Sequence, residues 1–265
     1  MRNVSVVLVG HGSSSDPLAA RSVRAAATTL RARKLFGEVR VGFWKARPHL
    51  RDAVARARGP VVLILPWLLS EGWFSRRIVP AALGLRGRVT RHGKRTLVYA
   101  DPVGTHPDMD GAVLRCAAAA SRPGKRPPMS KTTLIVAGHG TSRDERSAGA
   151  LRSVVARLRR RRQYAAVVPA FLEQEPSAHR ALRAVRTPFA VIVPFFAGDG
   201  PHSRRDLPRL MDLLRKDGRM SRNPIRSGES LRVWYARAIG TGPWMIPIAL
   251  SRAREALRRA RGRRR

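Results

Sequence analysis

Residues Val6-Val-Leu-Val-Gly-His-Gly-Ser13 and Leu134-Ile-Val-Ala-Gly-His-Gly-Thr141 are two copies of one motif: a short apolar run, then Gly-His-Gly and a hydroxyl residue. His11 and His139 lie 128 positions apart. The same offset pairs Phe43 with Phe171, Pro48 with Pro176, Pro66 with Pro194 and Gly72 with Gly200. It also pairs Arg76 and Arg77 with Arg204 and Arg205, and Pro80 with Pro208. One ungapped offset held over so much chain marks a tandem duplication. Where the copies part, the second carries the polar residues: Glu173 stands opposite Lys45, and His202 opposite Phe74. A duplicated fold with one polar centre predicts a single active site in a two-lobed enzyme.

Each copy alternates short apolar runs with longer helix-period stretches. That alternation predicts an α/β protein of two tandem flavodoxin-like lobes, each a parallel sheet flanked by helices, with a cleft between them. Strands are expected at Val4–Val9, Val39–Phe43, Val61–Pro66 and Thr96–Tyr99, and again at Thr133–Val136, Ala165–Phe171, Ala190–Pro194 and Leu231–Tyr235. Late in the copies the match resumes at an offset of 136, where Tyr99-Ala-Asp-Pro-Val-Gly-Thr105 meets Tyr235-Ala-Arg-Ala-Ile-Gly-Thr241. The polar segment Lys216–Gly228 reads as the surface loop holding the extra residues. Ser121–Lys131, rich in proline and positive charge, reads as a linker. The domain reading is therefore a lobe over 1–120, a linker over 121–131, a lobe over 132–250 and an arginine-rich, solvated or frayed tail over 251–265.

A chain of 265 residues is long enough for two separate hydrophobic cores. Its lone cysteine, Cys116, leaves no disulfide framework and no thiolate metal site. The first apolar run is too short for a signal peptide, and Pro60–Leu69 is about half the length that a membrane span needs, so a cytoplasmic protein without a span is expected. The net charge of +36 would draw nucleic acid, anionic membrane or an acidic small molecule without sequence specificity. It is mostly arginine spread through both halves, with no nucleic-acid-binding motif or stacking surface beside it, so nucleic acid is not the expected partner.

Open parallel sheets hold their ligands beyond the carboxyl ends of the strands. His139 follows the first strand of the second copy, Glu173 follows the second by two residues, and His202 lies in the loop after the third. Three consecutive strands thus deliver one metal-capable side chain each to the same edge. Two imidazoles and a carboxylate suit Co²⁺, Fe²⁺, Ni²⁺ or Zn²⁺ and leave coordination positions open. Gly138, Gly140, Gly198 and Gly200 permit sharp turns and close approach of a flat ligand. Glu175 and Asp199 are near enough in sequence to stand in for Glu173.

The Gly-His-Gly-Ser/Thr starts, Phe171-Leu-Glu-Gln-Glu-Pro176 and the Val193–Pro208 segment with its Pro-Phe-Phe, Gly-Pro-His and Asp-Leu-Pro resemble the class II chelatases. Within that group the chain is similar to the long, two-domain CbiX/SirB-type sirohydrochlorin chelatases. The resemblance implies insertion of a divalent metal into a sirohydrochlorin-type tetrapyrrole, without ATP and with no cofactor beyond the metal substrate. Co²⁺ is the expected metal, with Fe²⁺ or Ni²⁺ as alternatives. It further implies that His139 and His202 hold the ion and accept the pyrrole protons, while Glu173 completes the coordination or orients a histidine. Sirohydrochlorin carries eight carboxylates, which makes Arg204, Arg205, Arg76 and Arg77, with His11, candidates for substrate contacts. The first lobe departs from the pattern, since only His11 remains and Lys45 would repel a metal ion. It reads as a degenerate half whose Trp44, Trp67 and Trp73 could face the macrocycle. A non-catalytic tetrapyrrole or metal carrier and, on charge alone, an RNA-associated protein are the alternatives from other classes.

Overall fold

All seven residues of β1 (Val4–Gly10) are buried, as a parallel strand covered by helices on both faces requires. In the computed structural model, which describes residues 1–121, 126–140, 148–215, 225–227 and 231–262, β1 pairs in parallel with β2 (Glu38–Phe43) and β3 (Val61–Pro66). Beyond β3 lies β5 (Arg95–Tyr99), parallel to it, and β4 (Val89–His92) closes the edge antiparallel to β5. The order is β2-β1-β3-β5-β4. The second sheet repeats it as β7 (Ala166–Phe171), β6 (Thr132–Gly138), β8 (Phe189–Pro194), β10 (Leu231–Tyr235) and β9 (Ile225–Ser227). These are the two flavodoxin-like sheets expected, each with one reversed outer strand.

The reversed strands correct the sequence reading, which placed nothing at 89–92 and gave 216–228 wholly to a loop. Of that loop, 225–227 is β9, while 216–224 and 228 lie outside the described residues. Val-Thr-Arg-His is short and polar because an edge strand leaves part of itself to water, here Arg91 and His92. A two-residue turn beginning at Gly93 (φ 59°) joins β4 to β5, the backbone that glycine serves at little cost.

In the first sheet, Val7, Val9, Val62, Ile64, Leu97 and Tyr99 pack against α2 (Leu50–Ala55) and α3 (Val79–Ala82) through Ala53, Val54 and Val79. The alternate residues Leu8, Leu63 and Leu65 are fully buried on the opposite face, where α1 (Arg21–Ala32) and α8 (Met245–Gly262) lie. In the second sheet, α6 (Ala178–Arg183) and α7 (Leu207–Leu210) cover Ile135, Ala137, Ala190 and Ile192. There α5 (Gly149–Arg160) packs beside α4 (Met109–Ala119), which lies on β8. No helix among the described residues is long and apolar enough to cross a membrane.

The two compact units do not follow the two repeats. One comprises Met1–His106 and Pro243–Arg265, the other Pro107–Gly242. The last helix of each repeat therefore belongs to the other repeat's unit. Alignment reports the order of elements along the chain, and α4 and α8 carry equivalent apolar stripes that either sheet can cover. The arginine-rich tail read at 251–265 also changes character. It is the second half of α8, with Ala253, Ala256 and Leu257 buried. Arg252 is itself buried, donating to Thr105 Oγ1 and Glu255 Oε2, each at 2.9 Å. Arg259 donates to Asp101 Oδ2 at 2.7 Å. A chain ending after Leu250 should accordingly lose about 3 kcal/mol or more of stability, the cost of uncovering several core positions. Thermal unfolding checks this, and a solvated tail would leave the midpoint where it was.

Candidate functional site

In the register of the second sheet, Gly138 stands opposite Phe171 and Ala137 opposite Pro194. The chain thus leaves β6, β7 and β8 at one edge, and His139 is the first residue beyond β6. Gly140 has φ 61°, and a Cβ there would come within 2.7 Å of the Phe171 ring. Only glycine fits both demands. The first unit makes the same turn at Gly12, with φ 68°. Backbone N–H groups of Leu172 and Glu173 donate to the His139 carbonyl at 3.0 and 3.1 Å. The loop after β7 is thereby tied to the loop after β6.

His139 is the member shared by two close pairs. Its Nε2 lies 3.6 Å from Glu173 Oε1, and its ring centroid lies 4.6 Å from that of His202, nearly perpendicular at 83°. His202 also stacks over Phe196 at 6.2 Å. It opens a π-helical turn, His202–Asp206, in which the Leu207 N–H donates to the His202 carbonyl five residues back. Such widened turns recur at functional positions. Asp206 Oδ2 accepts from His202 Nδ1 at 2.9 Å, and Arg205 Nε donates to Asp206 Oδ1 at 2.9 Å. Burial alone would raise the Asp206 carboxyl, but the bonds from Arg205 and His202 outweigh it and hold the group below its ordinary value. With Nδ1–H committed to a carboxylate, Nε2 of His202 is left to face a ligand.

The turn is held from behind as well. Tyr235 Oη donates to the Ser203 carbonyl at 2.5 Å, and Ser203 Oγ donates to the Gly200 carbonyl at 3.1 Å. Asp199 accepts from the Ala238 N–H at 2.9 Å and from Arg237 at 3.2 Å. These bonds anchor the loop to the end of β10. Asp199 is therefore a brace, and Glu175 accepts from the Ser177 N–H at 2.9 Å beside Arg180. Both carboxylates that could have stood in for Glu173 are engaged elsewhere.

Burial pushes the His139 imidazole below its ordinary 6.5. The Glu173 charge and a backbone hydrogen bond at Gly140 oppose that push, while His202 adds to it. The imidazole is neutral at neutral pH, the form able to take up a proton or a metal. Among the described residues, no three His, Cys, Asp or Glu side chains converge as a ready metal cage. Glu173, with half its side chain exposed, reaches His139 and, among the described residues, pairs with no other ionisable side chain.

Of the other residues singled out, Arg204 and Arg205 lie exposed on the His202 turn, and Arg205 holds Asp206. Arg76 and Arg77 are exposed on the matching π-turn, Phe74–Ile78, of the first unit. His11 is exposed, with Nδ1 bonded to the Gly12 carbonyl at 3.0 Å and its ring edge-on to Phe74 at 5.0 Å. An aromatic pair thus stands where the second unit has its histidine pair. Trp67 is 1% exposed and belongs to the core, which removes it as a face for any ligand. Trp44 is half-buried and Trp73 is 64% exposed. Cys116 is buried, its thiol pushed up to about 12 by burial and donating to the Arg237 carbonyl. Asp206 escaped the sequence reading. Its signals were its place four residues after His202 and its alignment with the apolar Ile78.

The chain is 29% identical to a probable sirohydrochlorin cobaltochelatase of Halobacterium salinarum, an alignment covering 95% of this chain and 91% of that protein. Among solved structures it superimposes on a multidomain protein of Deinococcus radiodurans described as structurally similar to chelatases, with a TM-score of 0.77 and 27% identity. That match covers 94% of this chain, which spans about half (54%) of the larger protein. CbiX, described as the terminal enzyme for biosynthesis of siroheme in denitrifying bacteria, matches with a TM-score of 0.66 and 25% identity over 96% of this chain and 98% of its own. The family model CbiX matches twice, over residues 5–120 and 133–256. The chain belongs to the CbiX family.

Proposed function

We propose that the second unit inserts a divalent metal, Co²⁺ in preference to Fe²⁺ or Ni²⁺, into a sirohydrochlorin-type tetrapyrrole. The observation that carries this is the perpendicular His139–His202 pair, one ring flanked by Glu173 and the other backed by Asp206. Insertion brings one M²⁺ into the macrocycle and releases two pyrrole protons, so the site needs ligands that can exchange a metal for protons. Two imidazoles can do both. In this scheme His139, kept neutral by burial, and His202, turned by Asp206, hold the ion and then take the protons. Glu173 offsets the charge that builds on His139. Exposed Arg204 and Arg205 would meet the substrate's carboxylates in the second unit, and Arg76, Arg77 and His11 would offer such contacts in the first. The metal is the substrate, so no resident cofactor enters. The choice of cobalt is supported by the name of the Halobacterium relative, whereas the CbiX of denitrifying bacteria is named for siroheme.

Following the absorption of sirohydrochlorin with Co²⁺ and, separately, Fe²⁺ tests the activity. The enzyme should accelerate insertion, and His139→Ala or His202→Ala should lower the rate by about 10²–10⁴-fold, the usual worth of a proton-transfer group. Binding of macrocycle without acceleration would mark a carrier instead. The acid limb of the pH–rate profile should fall below 6.5, because lost solvation depresses His139 and only its neutral form accepts. Glu173→Gln removes a charge that raises His139, so it should shift that limb further down. Asp206→Asn should weaken Co²⁺ binding about 10–100-fold in calorimetry while leaving the circular dichroism spectrum unchanged.

A further inference from the structure

The first unit contains a cavity of about 890 Å³ on the side of its edge strand β2. Its cationic walls come from four parts of the chain: Arg31 on α1, Arg40 on β2, Lys45 and Arg47 in the loop that follows, and Arg56 capping α2. Trp44 adds an aromatic wall, and Asp52 is the one carboxylate in the lining. Two of the guanidinium groups are already fixed. Arg31 Nε donates to the Val39 carbonyl at 2.9 Å, and Arg40 is held on Glu38 at 2.6 Å. Lys45, Arg47 and Arg56 make no ion pair with any described carboxylate.

Comparison of the two repeats separates this cluster from the general abundance of arginine. At the offset of 128, Arg40 becomes Val168, Trp44 becomes Leu172, Lys45 becomes Glu173, Arg47 becomes Glu175 and Arg56 becomes Ala184. Arg31 alone of the cations is retained, as Arg159, which bonds the Val167 carbonyl as Arg31 bonds that of Val39. Position 52 runs the other way, to Arg180. A drift toward arginine across the whole chain would enrich both copies. Here the lining keeps its positive charge in one copy and turns neutral or acidic in the other.

We propose that this cavity binds a planar polycarboxylate, as a docking site for the macrocycle in a unit that does no metal chemistry. The volume lies in the upper part of the ~300–1,000 Å³ range of small-molecule sites. A single phosphate group is gripped by donors that converge on it, whether guanidinium forks, backbone N–H groups or a helix N-terminus. These cations are instead dispersed around an aromatic wall, which suits an apolar plate with separate carboxylates on its rim. Lys45 repels a free metal ion at the position where Glu173 would attract one. The choice of a tetrapyrrole as the plate rests on the chelatase activity proposed above, whereas the polyanion site rests on the cavity.

Titration of the full chain with uroporphyrin, an octacarboxylate porphyrin, by fluorescence quenching tests the proposal. Binding should persist in the His139→Ala/His202→Ala variant and weaken about 10-fold or more in Arg47→Glu/Arg56→Glu. Arg47→Gln/Arg56→Gln, which removes charge without reversing it, should give an intermediate loss, and unchanged thermal midpoints should show that both charge variants are folded. Undiminished binding in the charge-reversal variant overturns the proposal. So does binding abolished by the histidine substitutions alone, or porphyrin displaced as readily by inorganic phosphate or a uridine oligonucleotide as by benzenehexacarboxylate. Chelation is read separately from metal-dependent absorption, so a chain that binds porphyrin at the first unit but inserts no metal would refute the activity and not the site.

Discussion

Gly138 opposite Phe171 and Ala137 opposite Pro194 is a pairing that makes one site out of three distant stretches of chain. Parallel strands locked in this register must release their next residues at the same edge, and the residues released include His139, Glu173 and the loop bearing His202. A slip of one residue in β7 would turn its side chains to the opposite face and carry Glu173 away from His139. The fully buried Phe171 at the end of β7, which the slip would displace from the core, holds the register. The depressed imidazole of His139 depends on the same constraint, since the burial that lowers it is the burial of the strand end.

Much of this was legible from residues alone, because duplication supplied an internal control. The strands stood out as uninterrupted Val, Ile and Leu runs, and their C-terminal ends located the polar trio. Polarity hid the rest. β4 lacks an apolar pattern since its Arg91 and His92 border solvent, and β9 is too short, at three residues, to show one. Asp206 has no pattern around it in the sequence, and only its bond to His202 gives it a place in the cluster. Arg252 and the residues after it read as solvated because charge was counted without asking which face of α8 carried it. Trp67 failed in the opposite sense, as an aromatic residue offered to a ligand that the core had already taken.

The two copies show how one backbone carries different side chains at the same place. Both keep the Gly-His-Gly turn, and both brace the π-turn with a tyrosine, Tyr99 to the Ser75 carbonyl and Tyr235 to that of Ser203. What changes is what the braces present: Phe74 and Ile78 in one copy, His202 and Asp206 in the other. Scaffold and reactivity occupy different residues, so exchanging one leaves the other standing.

The trade of terminal helices has a bearing on ancestry. A duplicated gene whose products pack as separate beads can discard an idle bead. Here the copy with the altered centre encodes the helix that completes its neighbour, so deleting it would strip a wall from the unit that keeps the histidine pair. The first copy is thereby protected from loss whatever its own centre does, which leaves its surface free to acquire new work.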